Sequence, residues 1–413
     1  MQLIQTLFRF FGIKQKKTIV FLTHEYPPIV QGGICVLVHS LATKMADLGH
    51  QVHVIVIVSH EKPSISFEEN VWVHRINIKL YDYDFLRKVT NENFIMNKNM
   101  SLNSLIRAYS VYDELLSIYE QHSVDIVHSF LWGNLNFYVI DDKKFKSVMT
   151  LVTPAIYFPN TGQIELQLEK FIIENTKYIN TDSNFIYDFC KQYYPNIHSK
   201  YYLCYLGLAD RSKDNIPALY KDPDIIEILF IGRLEVRKGI DTLFSCIPDI
   251  CKDFPNVKFI FVGNNTINMP KQNKTYKDMF IEKHNNLVES KQVVFEGIVP
   301  DTAPYYASCD IFVAPSLFES FGMIYVEAMV FSKPVIGCNV AAIPEVVENN
   351  VVGLLAKPKD VESLKQCLIT LITNKELRDK FGKAGRKRYE ELFHVDKMVN
   401  NYLKYYDTII NEL

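Results

Sequence analysis

Residues 313–327 read VAPSLFESFGMIYVE and carry two carboxylates, Glu319 and Glu327, on either side of Phe321-Gly322. An apolar run at 311–314 precedes them. A strand, a loop bearing an acid, a glycine and a helix bearing a second acid builds a polar pocket at a strand's carboxyl end. That is where open α/β sheets bind ligands. The N-terminus of such a helix offers free N–H groups to a sugar hydroxyl or an anion. The same spacing also suits a helix-capping acid at 319 and a solvated helix face at 327, so the pair needs support from elsewhere.

A second constellation follows the same logic. Residues 228–239, ILFIGRLEVRKG, run from an apolar strand through Gly232 to Arg233 and Lys238, on either side of a turn that enters a helix at 240. Two cations at a strand end, beside a helix N-terminus, can neutralise a diphosphate. Arg237 reads as a solvated neighbour. Near the N-terminus, an apolar strand at 18–22 leads to His24-Glu25-Tyr26-Pro27-Pro28, then Gly32-Gly33, then a periodic helix through Leu48. Glycines at a helix start allow close backbone approach to phosphate. His128 stands at the end of a strand at 124–127, placed either to touch a substrate or to serve the core.

Composition removes several classes of function. A net charge of -2 and a pI near 6.6 give no reason to expect a nucleic-acid partner. Hydrophobic residues at 48% and charged residues at 22% describe a globular chain. The eight Cys lack metal-ligand spacing and read as reduced, buried thiols. No G-x-G-x-x-G follows the first strand, which argues against a dinucleotide site. Asp82-Tyr83-Asp84 and Asp222-Pro223-Asp224 match an Asp-x-Asp pattern but lack a preceding strand, so no metal site is expected. No apolar run is long enough for a transmembrane helix.

The elements that must position these residues form two βα series. Strands at 18–23, 52–58, 124–128, 147–152 and 177–181 alternate with helices at 34–48, 104–121, 163–175 and 184–192. A second series has strands at 226–231, 257–262, 293–295, 311–314 and 334–337. Such alternation means parallel sheets. At 413 residues two domains are expected. Their boundaries are read as 18–206 and 207–390, with a linker within 207–223 and a closing helical segment, 391–413. The polar stretch 80–103 reads as a long loop. Residues 1–17 place Leu3, Ile4, Leu7, Phe8 and Phe11 on one helical face, with Arg9, Lys14, Lys16 and Lys17 as the only charges. This describes a helix lying in a membrane interface, or one packed on the protein's own surface.

Taken in order, EYPP…GG (25–33), LGHQVHV (48–54), DIVHS (125–129), IGRLEVRKG (231–239), FIFVG (259–263), the Glu319/Glu327 motif and IPEVVENNVVGLL (343–355) resemble the retaining family 4 glycosyltransferases, the glycosyl transferases group 1. The resemblance implies a GT-B fold, α/β, with two Rossmann-like parallel-sheet domains facing a cleft and a last helical segment, 391–413, that returns to the first domain. It implies transfer of a hexose or N-acetylhexosamine, with retention and without a metal, from a nucleotide-diphosphate sugar to a glycan, lipid or protein acceptor. A UDP-sugar is the expected donor and no cofactor is implied. Arg233 and Lys238 would hold the diphosphate. Glu319 would contact the transferred sugar or the phosphates, and Glu327 the ribose hydroxyls. Phe321 and the backbone of Gly322, Met323 and Ile324 would meet the sugar and distal phosphate. Gly33 would approach the diphosphate from the other domain, and His128 would contact acceptor or sugar. A cytoplasmic location is implied, with residues 1–17 at a membrane surface. The chain departs from the pattern at Cys35, Phe130, Val152 and Ala341-Ala342, where relatives carry a small residue, His, His and Gly-Gly. The alternatives are a weakly active GT-B subunit that stabilises a partner transferase, or another GT-B enzyme such as a sugar-nucleotide epimerase.

Overall fold

The computed structural model describes residues 16–28, 33–58, 62–81, 85–86, 102–158, 161–198, 200–269 and 273–412. Most of the 1–17 segment, most of the 80–103 stretch, Gly32 and Asp82-Tyr83-Asp84 lie outside the described residues. The chain divides into two compact units. One runs to Cys204 and resumes at Met398; the other is Tyr205–Lys397.

The first unit is built on an eight-stranded sheet of order β3-β4-β2-β1-β5-β6-β7-β8. Its strands are β1 (Thr18–Thr23), β2 (Gln51–Ile57), β3 (Ser64–Glu68), β4 (Val71–Ile76), β5 (Ile126–Phe130), β6 (Ser147–Leu151), β7 (Tyr178–Thr181) and β8 (Tyr201–Leu203). All neighbours pair in parallel except β3 with β4. The central strands are buried almost throughout, as parallel strands covered on both faces must be. Helices Gly33–Asp47, Leu102–Gln121, Gln163–Asn175 and Asn184–Tyr193 connect them. The last helix, Val395–Asn411, contributes Tyr402 and Tyr406, both fully buried. Asn180 donates to the Tyr402 hydroxyl at 3.0 Å, and Lys146 Nζ reaches the Ile409 and Ile410 carbonyls at 2.9 and 2.7 Å. A cation on the last carbonyls of a helix is favourable in both charge and hydrogen bonding.

The second unit holds a six-stranded, wholly parallel sheet of order β11-β10-β9-β12-β13-β14. The strands are β9 (Ile226–Ile231), β10 (Val257–Val262), β11 (Val293–Gly297), β12 (Ile311–Val313), β13 (Val335–Cys338) and β14 (Gly353–Ala356). The chain lays strands outward from β9 through β11, then returns to add β12 on the other side of β9. The strand order reverses between β9 and β12, which is where such sheets form a ligand crevice.

Two boundaries differ from expectation. The units meet at Cys204/Tyr205 rather than 206/207, and the return begins at Met398 rather than 391. The linker candidate 207–223 belongs to the second unit. There Asp210 holds Arg386 through both oxygens at 2.9 and 2.6 Å, and Arg211 holds Asp301 at 2.8 and 2.9 Å. His394 stays in that unit through its bridge to Leu208. All eight cysteines are free; seven are buried and Cys367 partly so.

Candidate functional site

The site residues of the second unit come from the two loops that leave β9 and β12. After β9, Leu234 is buried and its N–H bonds the Asn264 carbonyl at 2.9 Å, so the turn is anchored in its middle. Val236–Lys238 makes one turn of 3₁₀ helix and Gly239 follows with φ 69°. A Cβ at Gly239 would stand 1.9 Å from the Pro315 carbonyl oxygen, so only glycine allows this approach to the β12 loop. Leu317 N–H donates to the Arg237 carbonyl at 2.8 Å. Lys238 Nζ donates to Glu319 Oε1 at 2.5 Å, with both side chains nearly buried.

Arg233 is placed differently. Its side chain is 55% exposed and lies 3.1 Å from Glu235 Oε1. Arg237, expected to be solvated, instead shares Glu235 and reaches the Phe318 carbonyl at 3.4 Å. It pins the β12 loop. Glu235 thus gathers two guanidinium groups, a partner that the motif reading passed over.

Phe321 does not point at a ligand. Its ring is 1% exposed and packs between Tyr205 (5.9 Å) and Phe393 (5.6 Å). An apolar ring beside an open polar loop is driven into the core, so only the backbone of Phe321 remains available. Gly322 caps the helix Met323–Val330 with φ 103°, and a Cβ there would lie 2.8 Å from the Tyr325 ring. Met323 and Ile324 form the open first turn of that helix and are half-buried. Glu327 is half-buried one turn on, and the Tyr306 hydroxyl donates to its Oε2 at 2.7 Å. Burial pushes the Glu327 carboxyl up; the Tyr306 hydrogen bond and the Arg211 and Lys238 charges pull it down, and burial prevails. Tyr306 was missed because nothing in the helix Ala303–Ser308 marks one tyrosine as facing a distant acid.

In the first unit, Gly33 opens its helix, and a Cβ on it would meet nothing within 4 Å. His128 is corrected. It lies in the middle of β5, not at a strand end, and is fully buried. Its Nδ1 meets the Tyr406 hydroxyl and its Nε2 lies 2.6 Å from Thr150 Oγ1. Burial lowers its pKa to about 3, so it stays neutral. Both nitrogens are spent inside the unit, and His128 is a core residue rather than a substrate contact. The departures from the family pattern fall on packed positions. Phe130 stacks on His128 at 5.0 Å, and Cys35 and Val152 are buried. Ala341 takes φ 53°, a conformation that glycine accepts at no cost and that costs alanine about 1 kcal/mol.

Residues 212–388 match the family model described as glycosyl transferases group 1, and residues 18–181 match the starch synthase catalytic domain. An uncharacterized glycosyltransferase of Methanocaldococcus jannaschii is 26% identical over 94% of this chain and 98% of its own length. Sucrose-phosphate synthase from Thermosynechococcus elongatus superposes with a TM-score of 0.71 at 18% identity, covering 95% of this chain and 99% of that one. HepE of Anabaena in complex with UDP gives a TM-score of 0.70 at 16% identity, covering 95% and 100%. Fold and matches together define the class: the chain is a glycosyltransferase of the GT-B fold, with two parallel-sheet α/β domains.

Proposed function

We propose that the chain is a retaining, family-4-type glycosyltransferase that needs no metal. It moves a hexose or N-acetylhexosamine from a nucleotide-diphosphate sugar, with UDP as the nucleotide, to a glycan, lipid or protein acceptor. The observation that carries this reading is the Lys238–Glu319 pair, 2.5 Å apart and nearly buried at the point where the strand order reverses. A buried ion pair is a poor stabiliser compared with apolar packing. Its position at a ligand crevice favours a functional reason for it. Lys238 keeps further donors for a diphosphate, and the exposed Arg233 supplies a second cation. Their charge stabilises the leaving group as negative charge develops on it. Glu327, with Oε2 committed to Tyr306, has Oε1 left for a ribose hydroxyl. The UDP held by HepE supports the choice of nucleotide.

In the transfer, the acceptor hydroxyl oxygen forms the new bond to the anomeric carbon on the face that the diphosphate leaves. The carbon–phosphate-oxygen bond breaks, and the acceptor proton passes to the departing phosphate oxygen. No helix among the described residues is long and apolar enough to cross a membrane. The cytoplasmic location, with a membrane-surface contact through the N-terminal segment, is proposed from the resemblance and from the sequence pattern of that segment alone.

The test is a thermal-shift panel of UDP, GDP, ADP and CMP. A ligand at 100 times its Kd adds about 2.7 kcal/mol of stability. A shift with UDP supports the reading; no shift with any of the four contradicts it.

A further inference from the structure

The first unit has its own reversal of strand order, between β1 and β5, and that point carries groups with no assigned role. The loop after β1 brings His24; the loop after β5 brings Trp132-Gly133-Asn134. Gly133 and Asn134 take φ of 76° and 59°, and a Cβ on Gly133 would lie 1.9 Å from His24 Nε2. The turn therefore seats its backbone directly on the imidazole. His24 Nε2 donates to the Trp132 carbonyl at 2.6 Å, and its Nδ1 accepts from Arg107 at 3.2 Å. This fixes the tautomer, and burial keeps the ring neutral, with its pKa lowered to about 4.

Arg107 is the unusual member. It is half-buried, its Nε is buried without a hydrogen-bond partner, and no carboxylate pairs with it among the described residues. A buried guanidinium nitrogen left without an acceptor is unfavourable. Trp132 is the second unusual feature. It is 48% exposed, yet it is not loose: its Nε1 donates to the Thr153 carbonyl at 3.2 Å, and Phe158 packs edge-on at 5.7 Å. On the same turn Asn136 is fully buried with neither amide atom hydrogen-bonded.

We propose that this cluster is the acceptor subsite and that the acceptor it takes is an acidic sugar. Arg107 receives the sugar's phosphate or carboxylate through its planar fork. Trp132 offers its held indole face to the pyranose ring. His24 acts as the spacer that fixes both. This rests on the glycosyltransferase reading above and adds the class of acceptor.

The chain has only two tryptophans, so a Trp72→Phe background leaves Trp132 as the reporter. Its fluorescence is titrated with glucose 6-phosphate, glucuronate and glucose at constant ionic strength. We expect a saturable change with at least one acidic sugar, binding at least about tenfold tighter than glucose. The sugar that binds identifies the anion as phosphate or carboxylate. Arg107→Gln should weaken that binding at least about tenfold. If Arg107→Gln does not fold, Trp132→Ala examined by calorimetry should show the same loss. Absence of acidic-sugar binding, equal binding of glucose, or unchanged binding in the variant overturns the proposal. A UDP thermal shift on the same sample separates the two readings. With the shift present, failure falls on this subsite alone; with it absent, the transferase reading fails too.

Discussion

At the scale of single residues, Arg233 and Lys238 have been read as one pair of cations, but their surroundings make their substitutions unlike. Arg233 is exposed and shares a carboxylate with Arg237. Lys238 is the partner of a nearly buried Glu319. Both Arg233→Ala and Lys238→Ala should cost about 3 kcal/mol or more in transition-state stabilisation, which is at least a hundredfold in kcat/KM. Only Lys238→Ala should also destabilise the fold, by about 3 kcal/mol, because it strands a buried carboxylate. Denaturant unfolding of both variants checks this; equal stability would place Glu319 in water. Glu327 gives a prediction with a sign. Burial raises its folded pKa, so its contribution to stability is fully present in acid and is lost as pH rises through that folded value. Glu327→Gln has no charge to desolvate and should gain stability on wild type between acid and neutral pH. UDP affinity should move the other way: the variant binds more weakly at neutral pH, and the gap closes as wild type protonates. Calorimetry showing equal affinity at neutral pH would place Glu327 off the ribose.

At the scale of elements, long periodic helices and buried parallel strands were legible, because burial on both faces writes continuous apolar runs. The strands β3, β4, β8 and β14 were not. In β4 the run is broken by His74 and Arg75, which are buried only because Glu114 and Glu68 answer them. In β3 the apolar Ile65 and Phe67 face solvent at a sheet edge. β8 and β14 are too short to show a period. The same reason cut β5 short: His128 and Ser129 read as the strand's end, whereas partners on β6 satisfy both inside the sheet. In the candidate site the acids, cations and glycines were legible as types. The direction of Phe321 and the help of Tyr306 were not, since both depend on distant neighbours. The joining of the two loops rests on Gly239. Gly239→Ala would drive a methyl into the Pro315 carbonyl and strain a left-handed backbone. It should cost about 2 kcal/mol of stability and lower UDP affinity although it removes no polar group. Unchanged UDP affinity would show that the loops need not be joined.

At the scale of the whole molecule, each unit repeats one design: a sheet, parallel but for β3 in the first unit, whose strand order reverses beside its first strand, with polar residues on the loops at the reversal. In the second unit those loops carry Arg233, Lys238 and Glu319; in the first they carry His24 and Trp132. Residues 1–17 add a separate expectation. Lys17 is buried and paired with Asp407 at 2.8 Å, so the expectation rests on the sequence pattern of Leu3, Ile4, Leu7, Phe8 and Phe11 with Arg9, Lys14 and Lys16: deleting 1–16 should reduce co-sedimentation with anionic vesicles at low salt and leave UDP binding intact. Full-length protein that fails to sediment with such vesicles would remove the membrane reading.

The central claim is that the loops after β9 and β12 bind a nucleotide diphosphate with cations of the chain in place of a metal. Isothermal titration of UDP in the presence of EDTA, on wild type, Arg233→Ala and Lys238→Ala, tests it most directly. The account predicts saturable binding by wild type in EDTA, weakened at least about a hundredfold in each variant. Binding that appears only when Mn²⁺ or Mg²⁺ is restored, or that survives unchanged in both variants, would contradict it.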